Sequence, residues 1–124
     1  MLQSLPDTVA NCSLLTHFYV RDLTQLPATI FSTRHFQELL SLNKQTLQEI
    51  PSSIDQLKSE LAHLEWSGYE SLKQLPSTIG SLHKLETINL EECKSLEALP
   101  PEMRRLSALK TLAISSCERL ECLP

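Results

Sequence analysis

The sequence predicts an α/β fold built as a solenoid, in which a short strand followed by a helical or 3-10 return repeats about five times. Three observations carry that expectation. A Leu-Pro or Ile-Pro pair recurs at Leu5-Pro6, Leu26-Pro27, Ile50-Pro51, Leu75-Pro76, Leu99-Pro100 and Leu123-Pro124, with successive prolines 21, 24, 25, 24 and 24 residues apart. The apolar positions between the pairs repeat as well: Leu75 leads to Ile79, Leu82, Leu85, Ile88, Leu90, Cys93, Leu96 and Leu99. Leu99 leads by the same offsets to Met103, Leu106, Leu109, Leu112, Ile114, Cys117, Leu120 and Leu123. Finally, the spacing inside each unit changes from steps of three to a step of two.

Each element follows from those spacings. The alternation Ile88-Asn89-Leu90, and again Leu112-Ala113-Ile114, has the period of a strand with one buried face. The preceding Ile79, Leu82 and Leu85 lie three apart, which suits a helical or 3-10 turn burying one edge. The proline sits between strand and return, where no ladder donor is required. A single unit orders too much chain for the apolar surface it can bury. The units must therefore stack, sharing faces, with their strands forming a parallel sheet along a concave side.

This pattern resembles the leucine-rich repeat family, whose core reads Leu-x-x-Leu-x-Leu-x-x-Asn/Cys. The resemblance implies a right-handed β-α superhelix with a concave parallel sheet and short convex segments. It covers essentially all of residues 1–124 as one repeat domain, with units near 5–26, 26–50, 50–75, 75–99 and 99–124.

Regularity rises toward the C-terminus. The first unit, Phe18-Tyr-Val20 to Leu23 and Leu26, lacks the Asn/Cys turn. The second reads Leu40-Ser-Leu42, Gln45, Leu47, Ile50, one residue short after the strand, and its helical side is loose around Phe36 and Leu39. The third carries an extra residue between Leu57 and Leu61, then resumes as Leu64, Trp66, Tyr69. Trp66 stands at an inward leucine position, so its neighbours must repack. Both ends fall within a unit and neither carries a polar cap, which reads as part of a longer protein and predicts self-association through apolar ends.

Composition narrows the function classes. The formal net charge is -4, from 15 acidic residues against 11 Lys and Arg, with no basic block to track phosphates. No run approaches the roughly 20 apolar residues of a membrane span, and the N-terminus lacks the charged head and apolar run of a secretory signal. The expected setting is cytoplasmic, with no nucleic acid and no membrane as partner. Cys12, Cys93, Cys117 and Cys122 then read as reduced thiols. Asn11-Cys12-Ser13 matches a glycosylation triplet only formally.

No catalytic, cofactor-binding or metal constellation emerges. Cys93 and Cys117 share one repeat position, 24 apart, and read as thiols facing backbone in place of the family's asparagine; no Cys-x-x-Cys or matched His accompanies them. His17 and His63 fall just before inward strand residues, at or near the concave face. The chain has two glycines, Gly68 and Gly80, and no phosphate loop. A non-enzymatic protein-binding role is expected.

The candidate site is the outward face of the strands. Its central column runs Tyr19, Ser41, Glu65, Asn89, Ala113. Beside it lie Arg21, Asn43, Ser67, Glu91, Ser115 and then Asp22, Lys44, Gly68, Glu92, Ser116, flanked by His63, Thr87 and Thr111. Glu65, Glu91 and Glu92 form a patch of one sign, suited to a partner with basic residues. Tyr19 offers an aromatic anchor. Leu90 and Leu112, one unit apart, read as equivalent core positions.

Two segments, Leu75-Pro-Ser-Thr-Ile79-Gly-Ser-Leu82 and Glu92-Cys93-Lys-Ser-Leu96-Glu-Ala-Leu99-Pro100, are similar to repeats of plant intracellular immune receptors that also carry a nucleotide-binding domain. Repeats of bacterial effectors, some beside a ubiquitin ligase, are similar too. The first resemblance implies recognition of pathogen or host proteins in immunity; the second implies substrate recognition for a multidomain enzyme.

Overall fold

The computed structural model describes residues 23–32, 43–58, 60–121 and 123–124. Its described strands are β1 (His63–Glu65), β2 (Thr87–Asn89) and β3 (Thr111–Ala113), forming a parallel sheet in the order β1-β2-β3. The register pairs His63 with Thr87 and Thr87 with Thr111, so neighbouring strands are offset by one repeat. Four 3-10 segments, Ile30–Ser32, Ser52–Leu57, Ser77–Ser81 and Pro101–Arg105, stack on one another on the opposite, convex side. The fold is the expected leucine-rich solenoid, with the returns in 3-10 form among the described residues.

The recurring prolines start these returns. The carbonyls of Pro27, Pro51, Pro76 and Pro100 accept the N–H groups of Ile30, Ile54, Ile79 and Met103 at 3.0, 3.2, 3.1 and 3.1 Å. Pro51, Pro76 and Pro100 hold φ between -59 and -70° with extended ψ. The ring fixes that φ, and the missing N–H has no ladder partner to lose.

A second run of backbone bonds stitches the units together beyond the strands. Gln48 N–H donates to Thr24 O, Lys73 N–H to Gln48 O and Glu97 N–H to Lys73 O, and Glu49 pairs with Gln74 as an isolated parallel bridge. Between the two ladders lies the core. Leu82, Leu85, Ile88, Leu90, Cys93 and Leu96 of the fourth unit are all fully enclosed. Their counterparts Leu106 and Met103 are also buried, but Leu109, Leu112, Ile114, Cys117 and Leu120 are only partly so. Leu90 and Leu112 are therefore equivalent in position, with Leu112 the less buried of the two among the described residues.

The irregular units keep the same core by absorbing insertions in turns. In regular units Leu85 N–H reaches Leu82 O and Leu96 N–H reaches Cys93 O, each three residues back. In the third unit Leu61 N–H reaches Leu57 O instead, four back, and in the second Leu47 N–H reaches Asn43 O. Trp66 takes the inward leucine site, buried beside Leu64 and Tyr69. The Gly80 position is packed against the next return: a Cβ there would lie 2.5 Å from Glu102 O.

Candidate interaction face

The sheet register brings the expected outward columns together. His63, Thr87 and Thr111 line one row, Glu65, Asn89 and Ala113 the next, and Ser67, Glu91 and Ser115 the third. Glu65, Glu92 and Ser115 are exposed, whereas Asn89, Glu91 and Thr87 are half-buried by their neighbours. Tyr19 and Arg21, with Ser41 and Asp22, lie outside the described residues.

Asn43 is a correction. It was expected on the outer face, but it is 1% exposed, and its Oδ1 accepts the N–H of Leu23 at 2.9 Å. The extra residue between Asn43 and Leu47 moves it into the asparagine position of the family motif, two places before Gln45, where the leucine offsets place that position. There it serves a backbone donor of the preceding unit that would otherwise be buried without a partner. Thr46 completes the join, donating its hydroxyl to Leu23 O at 2.7 Å.

Cys93 and Cys117 do equivalent work with the polarity reversed. Their thiols donate to Trp66 O at 3.2 Å and Leu90 O at 3.0 Å. Burial pushes the Cys93 thiol from 9.0 up to about 11, against a lowering contribution from the backbone of Tyr69, and raises the Cys117 thiol too. Tyr69, at the same repeat position, is pushed by burial from 10.0 up to about 12, with Cys93 and Glu65 adding to the shift. These groups are held protonated, which suits structural donors and disfavours a nucleophilic thiolate. Among the described residues no cluster of three or more His, Cys, Asp or Glu side chains is placed to hold a metal ion.

The acidic patch is organised by side-chain hydrogen bonds across the sheet. Ser67 Oγ donates to Glu65 Oε1 at 2.8 Å, and Asn89 Nδ2 donates to Glu65 Oε2 at 3.3 Å. The Glu91 N–H donates to Asn89 Oδ1 at 3.0 Å, and Ser115 Oγ donates to Glu91 Oε1 at 2.9 Å. The chain Ser67-Glu65-Asn89-Glu91-Ser115 thus fixes two carboxylates with neutral donors. Three cations of the described residues pair elsewhere, Lys94 with Glu70, Lys110 with Glu86 and Arg119 with Glu97, at 3.5, 3.6 and 4.0 Å, while Lys44 lies near Gly68 and forms no ion pair with these carboxylates. Those exposed pairs contribute little to stability, but they leave Glu65, Glu91 and Glu92 without an ion-pair partner among the described residues.

The backbone conformation behind Glu92 is not visible in the residue pattern. Gly68, Glu92 and Ser116, 24 residues apart in turn, all adopt positive φ, at 78, 60 and 60°. The strand must turn sharply there, and only glycine does so without steric cost. Gly68 was the one visible signal of this conformation, and Glu92 shows it most sharply, since its carboxylate is projected from a left-handed turn.

Stacked parallel strands, a thiol and asparagine ladder, and a pre-arranged polar outer face define a repeat solenoid of the leucine-rich kind. The chain matches the R13L1/DRL21 leucine-rich repeats over residues 35–117 and belongs to the leucine-rich repeat family. It is also similar to TMV resistance protein N of Nicotiana glutinosa, 33% identical over 94 residues, which is 73% of this chain and 8% of that protein. The chain therefore spans less than a tenth of that relative's length.

Proposed function

We propose that the chain is the recognition arm of a defence protein and that its concave face captures a partner segment rich in lysine or arginine. The observation carrying this reading is that Glu65 and Glu91 are held in place by Ser67, Asn89 and Ser115 while no described cation neutralises them. Fixed carboxylates lose little side-chain freedom on meeting a cation, so attraction is retained in binding. The resistance protein among the relatives supports a setting in immunity over a targeting role for an enzyme. We place the protein in the cytoplasm on the same reading.

The test is selection from a displayed peptide library with the full-length protein as bait. Enrichment of Lys- and Arg-rich sequences, with binding that weakens as salt rises, is the expected result. Recovery of acidic or purely apolar sequences, insensitive to salt, would remove this face from the account.

A further inference from the structure

We propose that Ser107 is a phosphoacceptor for a basophilic serine/threonine protein kinase, on the convex side and independent of the concave face. The sequence reads Arg104-Arg105-Leu106-Ser107, and no other serine or threonine in the chain has arginine at both two and three residues before it. Kinases with acidic substrate clefts select this charge pattern. Ser107 is exposed on the turn that follows the Pro101–Arg105 return, its N–H donating to Arg105 O at 2.9 Å. Arg104 and Arg105 are exposed as well, and neither takes part in the ion pairs formed by Lys94, Lys110 and Arg119.

The surroundings suit the product. His83 occupies the same position one unit earlier, its N–H donating to Ser81 O at 2.9 Å in the same turn. With Thr87 paired to Thr111, the residues four before each, His83 and Ser107, hold the same turn position in adjoining units. A phosphate on Ser107 would therefore lie beside His83 and Lys84, with Arg104 and Arg105 on its own unit. It adds about 1.5 to 2 negative charges, which guanidinium and ammonium groups can hydrogen-bond.

A kinase cleft takes an extended segment, and Leu106 is buried, so the return must lift transiently. The opening involves one five-residue return and its cap, in which Met103 and Leu106 are the buried side chains while Pro101, Arg104, Arg105 and Ser107 are exposed. A short surface segment of this kind opens at lower cost than the whole domain. In the transfer, Ser107 Oγ forms a bond to the γ-phosphorus of a nucleoside triphosphate supplied with the kinase. The bond from that phosphorus to the β,γ-bridging oxygen breaks, nucleoside diphosphate leaves, and the hydroxyl proton passes to the kinase's carboxylate base.

The experiment treats the folded, full-length protein with ATP and a purified basophilic kinase and maps the phosphate by tandem mass spectrometry. Ser107 is the expected site within these repeats, and Ser107→Ala removes the signal there. The double variant Arg104→Ala/Arg105→Ala lowers kcat/KM by about tenfold or more, while Arg104→Lys/Arg105→Lys, which keeps both charges and the fold, retains most of it. Phosphate at other serines with Ser107 unmodified would overturn the proposal. So would modification only of urea-unfolded protein, or indifference to loss of both arginines.

Discussion

Asn43 reaches back twenty residues to accept the backbone N–H of Leu23 at 2.9 Å, and both residues are fully enclosed. One side chain thus closes the join between two consecutive units. Asn43→Leu removes that acceptor and leaves a buried donor unpaired, for an expected loss of about 1–3 kcal/mol. Urea unfolding of the two proteins measures it. A change below about 0.5 kcal/mol would mean that water or another carbonyl serves Leu23 equally well.

Gly80 and Gly68 should respond differently to the same substitution. At Gly80 an added Cβ meets backbone of the next return, Glu102 O at 2.5 Å, whereas at Gly68 the nearest atom is the flexible end of Lys44 at 3.8 Å. Gly80→Ala is expected to cost about 1–3 kcal/mol through forced separation of two stacked returns. Gly68→Ala should cost about 1 kcal/mol, from its left-handed backbone alone. Equal thermal shifts for the two would contradict this packing.

Two leucines one unit apart separate position from burial. Leu90→Ala truncates a fully enclosed side chain and is expected to cost about 2–5 kcal/mol. Leu112→Ala, at the same repeat position but only partly buried, should cost less, and Glu91→Ala little beyond the bond from Ser115. Denaturant midpoints for the three rank the costs in that order.

Alkali should weaken the protein through its buried acids. The folded-state values of Cys93 and Tyr69 are raised to about 11 and about 12, from 9.0 and 10.0. A raised value means the folded state holds its proton more tightly. The stability contributed is therefore whole below about pH 9 and is lost as pH climbs through 9–11 for the thiol and 10–12 for the phenol. Melting temperature measured between pH 7 and 11 should fall over the upper part of that range, and Tyr69→Phe should flatten the fall above pH 10. A slope unchanged in Tyr69→Phe would show that Tyr69 titrates normally.

The regular units were legible because burial imposes a period. Leu75 to Leu99 and Leu99 to Leu123 share every offset, and strands, returns and proline turns fall where those offsets place them. Asn43 was misplaced because alignment by leucines assumes a fixed step after the turn. The chain instead inserts a residue and closes a four-residue bond from Leu47 to Asn43. On the outer face, period two located Glu65, Asn89 and Glu91, since alternate side chains must point outward. The bonds joining them depend on rotamers and on spacing between neighbouring units, which no period records. The left-handed backbone at Glu92 and Ser116 was hidden for a related reason: local conformation there is imposed by the stack, against the preference of either residue.

Charge reversal at Glu65, Glu91 and Glu92 asks whether these carboxylates hold the partner. The measurement is calorimetric affinity of the triple variant Glu65→Lys/Glu91→Lys/Glu92→Lys for the basic peptide best retained by the unmodified protein, alongside its melting temperature. At least about a 100-fold loss of affinity is expected with the fold intact, since all three side chains lie on the outer face. Affinity preserved in a folded triple variant would contradict it.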